Sequence, residues 1–377
     1  MHPEVIVVGG GLIGLASAWR STLAGMKVVV VDDAPASGAS SVAAGMLAPV
    51  TEVHYGEGSL LKLNLAASAL YPGWVAELEE ATGLPVGYRR SGTLMVARDQ
   101  DENAALSETF RFQQSLGLES ERLRSRECRE LEPSLAPGIR GGIYVPGDHQ
   151  VDPAALGAAL GVACRALGVT FLDRKARALN HDGSSIRGIV LDNGEELPAD
   201  RVVLAAGSWS GSIGGLDDHP LPVRPVKGQL VRLHADHENG LPVAHNIRGA
   251  DVYLVPRTDG RLVIGATVEE RGFDTSVTAG AVHDLLRDAY ELVPEVGELT
   301  WAGAFAALRP GTPDNAPLIG PLAIERVFAA TGHYRNGVLL APITGNIVAE
   351  WLTTGAVPAL AEAFSPARFT TPAVMPS

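Results

Sequence analysis

Two arginines stand out because their neighbours carry no charge. Arg309 lies in AALRPGTPDNAPLIG and Arg335 in GHYRNGVLLAPITG, both apolar and rich in glycine. A guanidinium in such a setting reads as a ligand for a carboxylate, whose position and plane its fork of N–H donors fixes together. A charge-assisted contact of this kind contributes about 1.5–3 kcal/mol. Tyr253, in VYLVPR, can add a phenolic donor and reads equally well as a half-buried strand residue. A second group of residues suits a dinucleotide. Gly9-x-Gly11-x-x-Gly14 follows a run of valine and isoleucine. The first glycine permits a tight turn, the second lets the backbone approach a pyrophosphate, and the third lets helix pack on strand. Asp32, followed by Asp33, stands at the spacing of an acid that accepts from a ribose 2′-hydroxyl.

These residues need elements to hold them. Residues 5–8 and 28–31 are short, fully apolar runs, as in strands buried on both faces. Between them a helix is expected from about residue 12 to 24, stopped by Gly25, so the unit is β-α-β with a right-handed crossover. Asp152 and Pro153 open a second helix that Gly168 closes. A strand at 169–172, a small antiparallel meander turned at Asp182-Gly183 and Asn193-Gly194, and a buried strand at 202–206 ending at Gly207 follow. From about Pro220 to Gly311 the pattern changes. Strand-like runs at 229–233, 252–255 and 262–264 precede a helix carrying Val282, Leu285, Leu286, Ala289 and Leu292, ended by Pro294. The buried strand type returns at 327–330, before Gly332 and a helix-like run from about residue 345 to 351. Residues 60–133 are largely helical by composition, without a firm placement. The simplest arrangement is one discontinuous nucleotide-binding domain interrupted by an α+β domain.

Composition narrows the classes. The chain has 377 residues, 46% of them hydrophobic and 19% charged, which suits a globular protein of two or three domains. A net charge of −13 argues against a non-specific nucleic-acid binder and against an anionic membrane surface. Two cysteines build no disulfide framework, so a reducing cytoplasm is expected. Residues 5–19 resemble a signal-peptide core, yet no cationic segment precedes them and they run on into a second strand; we read them as structure. No metal site is expected. His234 and His237, in HADHENG, lack a third ligand. Lys227 reads as a strand-edge residue, Cys128 as structural, and SGASS lacks the spacing of a nucleophile elbow.

Six passages together resemble the D-amino acid oxidase family of FAD enzymes: VIVVGGGLIGLASAW, SGASSVAAGMLAP, VVLAAGSWS, VYLVPR, AALRPGTPDNAPLIG and GHYRNGVLLAPITG. The resemblance covers essentially the whole chain. Its nearest branch is that of the glycine oxidases of thiamine biosynthesis, carried by SSVAAGML and by LRPGTPD followed by GHYRNG. It implies an α/β plus α+β fold, with a glutathione-reductase-like, Rossmann-like FAD-binding domain interrupted by an antiparallel-sheet substrate domain. The implied boundaries are 1–85, 145–220 and 312–365 for the first, 86–144 and 221–311 for the second, and a tail from 366 to 377. Leu12 and Ile13 would lie along the pyrophosphate and Asp32 on the adenosine ribose, where the family commonly has Glu. Ala39, Ser40, Ala44, Gly45 and Met46 would wrap the flavin, and Ala176 would contact the adenine side. Gly332, His333, Arg335, Asn336, Gly337, Val338 and Leu339 would approach the isoalloxazine. Neither a histidine in the first flavin loop nor a cysteine in a flavin motif is present, so FAD is expected to be non-covalent.

The resemblance further implies Arg309 as the main carboxylate clamp, with Tyr253 and Arg335 assisting. Hydride would pass from substrate Cα to flavin N5, and dioxygen would leave as hydrogen peroxide. Glycine, sarcosine and small D-amino acids are the candidate substrates, with Ala48 restricting room. Asp251 and Val268 stand where some members carry His and Met. A homotetramer is implied as well. Three other readings remain: a nicotinamide-dependent dehydrogenase, a non-catalytic flavin subunit, and a dehydrogenase passing electrons to a quinone.

Overall fold

Runs of β-branched residues with no polar face make the centre of a six-stranded sheet. In the computed structural model, which describes residues 3–216, 220–236 and 240–369, Val5–Val8 and Val28–Val31 are buried along their whole length. They pair in parallel with Val5 opposite Val28, and Val5–Val8 pairs on its other side with Arg201–Leu204. The sheet runs Leu318–Pro321, Val327–Thr331, Arg201–Leu204, Val5–Val8, Val28–Val31, Thr170–Leu172; only the Leu318–Pro321 pairing is antiparallel. Helices Leu12–Leu23, Pro153–Ala166, Gly58–Thr82 and Gly337–Thr354 cover one face, with Leu15, Trp19, Leu63, Trp74, Leu160 and Val348 in one core. The meander Ala176–His181, Ile186–Leu191, Glu196–Pro198 covers the other.

A second sheet of eight strands runs Thr300–Gly311, Arg224–His234, Arg261–Gly265, Tyr253–Pro256, Asn246–Arg248, Thr93–Ala97, Gly141–Val145, Glu121–Arg124. It is antiparallel except where Asn246–Arg248 meets Thr93–Ala97. Helix Ala279–Leu292 closes one face, and Leu285, Ala289 and Leu292 pack there on Val231, Leu254 and Ile264. Thr278 caps this helix by accepting from Ala281 N at 3.4 Å.

Residues 60–133 are largely helical, as expected, in Gly58–Thr82, Gln100–Ser115 and Ser125–Leu131, with strands Thr93–Ala97 and Glu121–Arg124 between the helices. Two segments go beyond the sequence expectation. The long strand Thr300–Gly311 has few β-branched residues; pairing along Arg224–His234 holds it. The last large helix begins at Gly337, eight residues earlier than expected, and runs through Pro342. Proline removes the N–H that would bond the carbonyl four residues back. That carbonyl belongs to Val338, and the Tyr71 hydroxyl donates to it at 3.0 Å instead. Within the expected tail, Pro366–Phe369 form a short helical turn in which Arg368 pairs with Asp314 at 2.8 Å; residues 370–377 lie outside the described residues. So does His237. Among the described residues no helix is long and apolar enough to cross a membrane.

Candidate active site

The N-terminal glycines form a cradle by contact rather than by composition. Gly9 has φ +103°, and a Cβ there would stand 2.4 Å from the Ala205 carbonyl oxygen. A Cβ on Gly14 would stand 1.9 Å from the Gly9 carbonyl oxygen, so helix and loop touch backbone to backbone. Gly11 caps helix Leu12–Leu23 without a side chain; the Leu12 N–H is taken by Ser40 Oγ at 3.0 Å. Asp32 braces the same loop, accepting from Gly10 N at 2.6 Å and Ala34 N at 2.7 Å.

This cradle is one end of a cavity of about 2240 Å³, open mouth included. Gly9, Gly11, Leu12, Ile13, Asp32, Asp33, Ala39, Ser40, Ala44, Gly45, Met46, Ala176 and Gly207 line it from one side of the molecule. His333, Arg335, Asn336, Gly337 and Val338 line it from the start of the last helix, and Tyr253 and Arg309 from the second sheet. Three expected cofactor residues do not reach it. Leu339 is turned into the helical core, 2% exposed. Gly332 serves a turn at φ +71°, with its Cβ position against Thr312. Gly14 stands behind the loop.

Two helix N-termini therefore face one cavity, at Gly11–Ile13 and at Asn336–Val338. Leu12 N is bonded to Ser40 Oγ and Asn336 N to the His333 carbonyl at 2.9 Å; the helix dipoles still favour negative charge at two separated points. The cradle and this pair of dipoles fit FAD, whose pyrophosphate the first would hold and whose electron-rich flavin edge the second would face. Arg257 stiffens the wall between them. It is 5% exposed and donates to the Ala44 carbonyl, to the Val151 carbonyl at 2.7 Å and to Gln150 Oε1 at 2.9 Å. Cys128 and Cys164 lie in separate cores away from the cavity, and burial pushes their thiols up to about 11 and about 12.

The far end of the cavity is the face of the eight-stranded sheet. Tyr253 and Arg248 are paired across adjacent strands, and Arg309 comes from the sheet's edge strand. Arg309 and Tyr253 line the same end of the cavity, and burial pushes the Tyr253 pKa up, against the opposing charge of Arg309, so the phenol stays a donor. One Arg309 amine also donates to the Thr267 carbonyl at 3.0 Å. Arg335 arrives from the opposite wall, and its Nε lies 3.4 Å from Glu52 Oε2. Glu52 Oε1 pairs with Arg248, so one carboxylate bridges two guanidinium groups. Burial, with Arg335 nearby, lowers Arg248 to about 10. Asp148 sets the segment carrying Glu52, accepting from Val50 N at 3.1 Å and Thr51 N at 2.7 Å.

Glu52, Arg248 and Arg257 were missed in the sequence. Glu52 is a lone acid six residues beyond Met46, and only strand register brings Arg248 beside Tyr253. Lys227 belongs elsewhere: it is 1% exposed and pairs with Asp274 at 2.7 Å. His333 is buried, shares a hydrogen bond of 3.0 Å with Thr344 Oγ1, and is held neutral by burial, its pKa down at about 3. An unfolded chain regains the ordinary histidine pKa of about 6.5 and binds the proton first. Stability therefore falls as pH drops from about 6.5 toward 3. His333→Gln flattens that part of a melting-temperature profile against pH; an unchanged slope contradicts this.

Comparison with known proteins agrees with the geometry. Residues 4–351 match the family described as FAD dependent oxidoreductase, DAO. The chain is 36% identical over 354 residues to the glycine oxidase of Geobacillus kaustophilus, covering 92% of each. It is 36% identical over 374 residues to the bifunctional protein ThiO/ThiG of Synechocystis, covering 98% of this chain and 54% of that protein. The chain thus spans about half the length of that bifunctional relative. The crystal structure of glycine oxidase from Geobacillus kaustophilus superposes with a TM-score of 0.90 at 34% identity, covering 97% of this chain and 99% of that one. A family match over nearly the whole chain, on a fold whose cavity suits the cofactor, places this protein in the DAO family of FAD-dependent oxidoreductases.

Proposed function

We propose that this chain deaminates glycine oxidatively, together with small relatives such as sarcosine and D-alanine, with dioxygen as the electron acceptor. For glycine the balance is glycine, dioxygen and water to glyoxylate, ammonia and hydrogen peroxide. One observation carries the reading: Arg309, Tyr253 and Arg335 converge at one end of the cavity whose other end is the glycine cradle. FAD, when bound non-covalently, supplies the two-electron acceptor.

The protein's share is orientation. The Arg309 fork and the Tyr253 hydroxyl hold the substrate carboxylate, and Arg335 assists from the opposite wall. The Glu52 contact to Arg335 Nε leaves the two terminal amines of that guanidinium for the substrate. Hydride departure from Cα needs a neutral amine, and the mechanism assigns no protein acid or base to it. Ala48, buried in the cavity wall, limits the room beside the substrate and favours small side chains. The resulting imine hydrolyses in water.

The test is a peroxide assay on the FAD-loaded protein in air with glycine, sarcosine and D-alanine. Peroxide from glycine, at one equivalent per dioxygen consumed, supports the proposal. Flavin bleaching without peroxide assigns another electron acceptor, and no bleaching by any of the three overturns the substrate assignment. The homotetramer implied by the resemblance is measured in the same preparation by light scattering.

A further inference from the structure

Both side chains assigned to the substrate carboxylate lie flat on a glycine. Tyr253 stands directly opposite Gly265 in the pairing of Tyr253–Pro256 with Arg261–Gly265. A Cβ on Gly265 would be 2.4 Å from the Tyr253 Oη, 2.6 Å from Cζ and 2.7 Å from Cε2. Gly228 stands opposite Ala307, so Arg309 is its diagonal neighbour on the same sheet face. A Cβ on Gly228 would be 2.3 Å from Arg309 Nη1, 2.5 Å from Cζ and 2.6 Å from Nη2. Real Cβ atoms essentially never approach under 3.0 Å, so the guanidinium and the phenol occupy the volume that a methyl group would take.

Backbone conformation does not call for glycine at Gly228, which is not among the residues with positive φ and sits inside a paired strand. Gly265 has no positive φ either and closes its strand. Glycine inside a strand is less favourable than alanine, because it loses more backbone freedom on folding. At both positions the atoms a Cβ would strike belong to the far end of a single side chain. A methyl group would therefore lift that side chain rather than break the sheet.

We propose that Gly228 and Gly265 are positioning residues for substrate. Their missing Cβ atoms form a flat floor that sets how far the Arg309 fork and the Tyr253 hydroxyl stand above the sheet. That height fixes the substrate carboxylate, and with it the Cα, relative to the opposite wall of the cavity. The inference rests on the reading above in which Arg309 and Tyr253 hold the carboxylate.

The test is a double-mutant cycle on the FAD-loaded enzyme, with Gly228→Ala, Arg309→Lys and both together. Two readouts are used: binding of glycolate, a carboxylate without an amine, through the visible flavin spectrum, and kcat and KM for glycine. A displacement of about 1 Å predicts a loss in kcat/KM of about 100-fold for Gly228→Ala. Glycolate binding should weaken at least tenfold on the same basis, with flavin content and melting temperature unchanged. In the Arg309→Lys background, which has no planar group to lift, Gly228→Ala should change glycolate binding less than twofold. Wild-type glycolate binding in Gly228→Ala, or equal effects in both backgrounds, overturns the proposal while leaving the clamp intact. Unweakened binding in Arg309→Lys instead removes the clamp reading, and the floor with it. Should Gly228→Ala not fold, Gly265→Ala alone and in a Tyr253→Ala background decides by the same criteria.

Discussion

Arg309→Ala is expected to abolish most turnover of glycine while the protein stays folded and yellow. The substitution removes two charge-assisted hydrogen bonds to the substrate carboxylate, at about 1.5–3 kcal/mol each. The sum of about 3–6 kcal/mol corresponds to a fall in kcat/KM of about 150- to 25,000-fold. FAD should remain bound, because Arg309 stands on the sheet's edge strand, at the other end of the cavity from the glycine cradle. Within the protein, the Thr267 carbonyl is left without its guanidinium donor, a small change beside an open cavity that water can enter. Tyr253 and Arg335 remain, so saturating substrate should recover part of kcat, and the loss should appear mainly in KM. Steady-state kinetics beside a flavin absorbance spectrum check this. Unchanged kinetics for carboxylate substrates would remove Arg309 from the site.

Gly11→Val is expected to give a folded protein that takes up no FAD. Gly11 has φ −71° and ψ −179°, extended backbone that valine adopts without strain. Among the described residues, its chain neighbours aside, the atom nearest a Cβ there is Ser40 Oγ at 3.1 Å, which must give by a few tenths of an ångström. The fold therefore tolerates the change. The branched side chain, however, enters the space in front of the helix N-terminus, where phosphate oxygens must approach the backbone N–H groups. Purification should yield colourless protein with native secondary structure, and reconstitution with FAD should restore no visible absorbance. Gly14→Ala makes a different control. Its Cβ would meet the Gly9 carbonyl backbone at 1.9 Å, so folding itself should suffer. A yellow Gly11→Val protein would move the pyrophosphate away from this turn.

What could be read in advance followed from local patterns with strong physical causes. Four-residue runs of valine and isoleucine favour strands buried on both faces, and Gly9, Gly11 and Gly14 between them suit the tight turn of a β-α-β unit. The antiparallel meander was legible from its Asp-Gly and Asn-Gly turns. Long-range pairing accounts for most of the rest. The strand Thr300–Gly311 is mainly alanine and glycine in its middle, so its conformation comes from Arg224–His234 beside it. The helix beginning at Gly337 passes through Pro342 because Tyr71, far away in sequence, satisfies the Val338 carbonyl. In the site, Arg309, Arg335 and Tyr253 were visible because charge and hydroxyl interrupt apolar, glycine-rich segments. Glu52 and Arg248 look like ordinary surface residues in sequence; only folding places them as an ion pair beside Arg335. Asp32 reads as a ribose ligand from spacing; what the structure shows is its carboxylate accepting from the Gly10 and Ala34 backbone.

The position of the substrate carboxylate relative to the cofactor cradle decides whether Arg309 and Tyr253 form the clamp. A crystal structure of the FAD-loaded protein with glycolate bound measures it. Pyrophosphate is expected at Gly11–Ile13, the flavin edge at Asn336–Val338, and the glycolate carboxylate within hydrogen-bonding distance of both the Arg309 fork and the Tyr253 hydroxyl. Glycolate held elsewhere, with Arg309 still turned to Thr267 and Tyr253 alone, would contradict it.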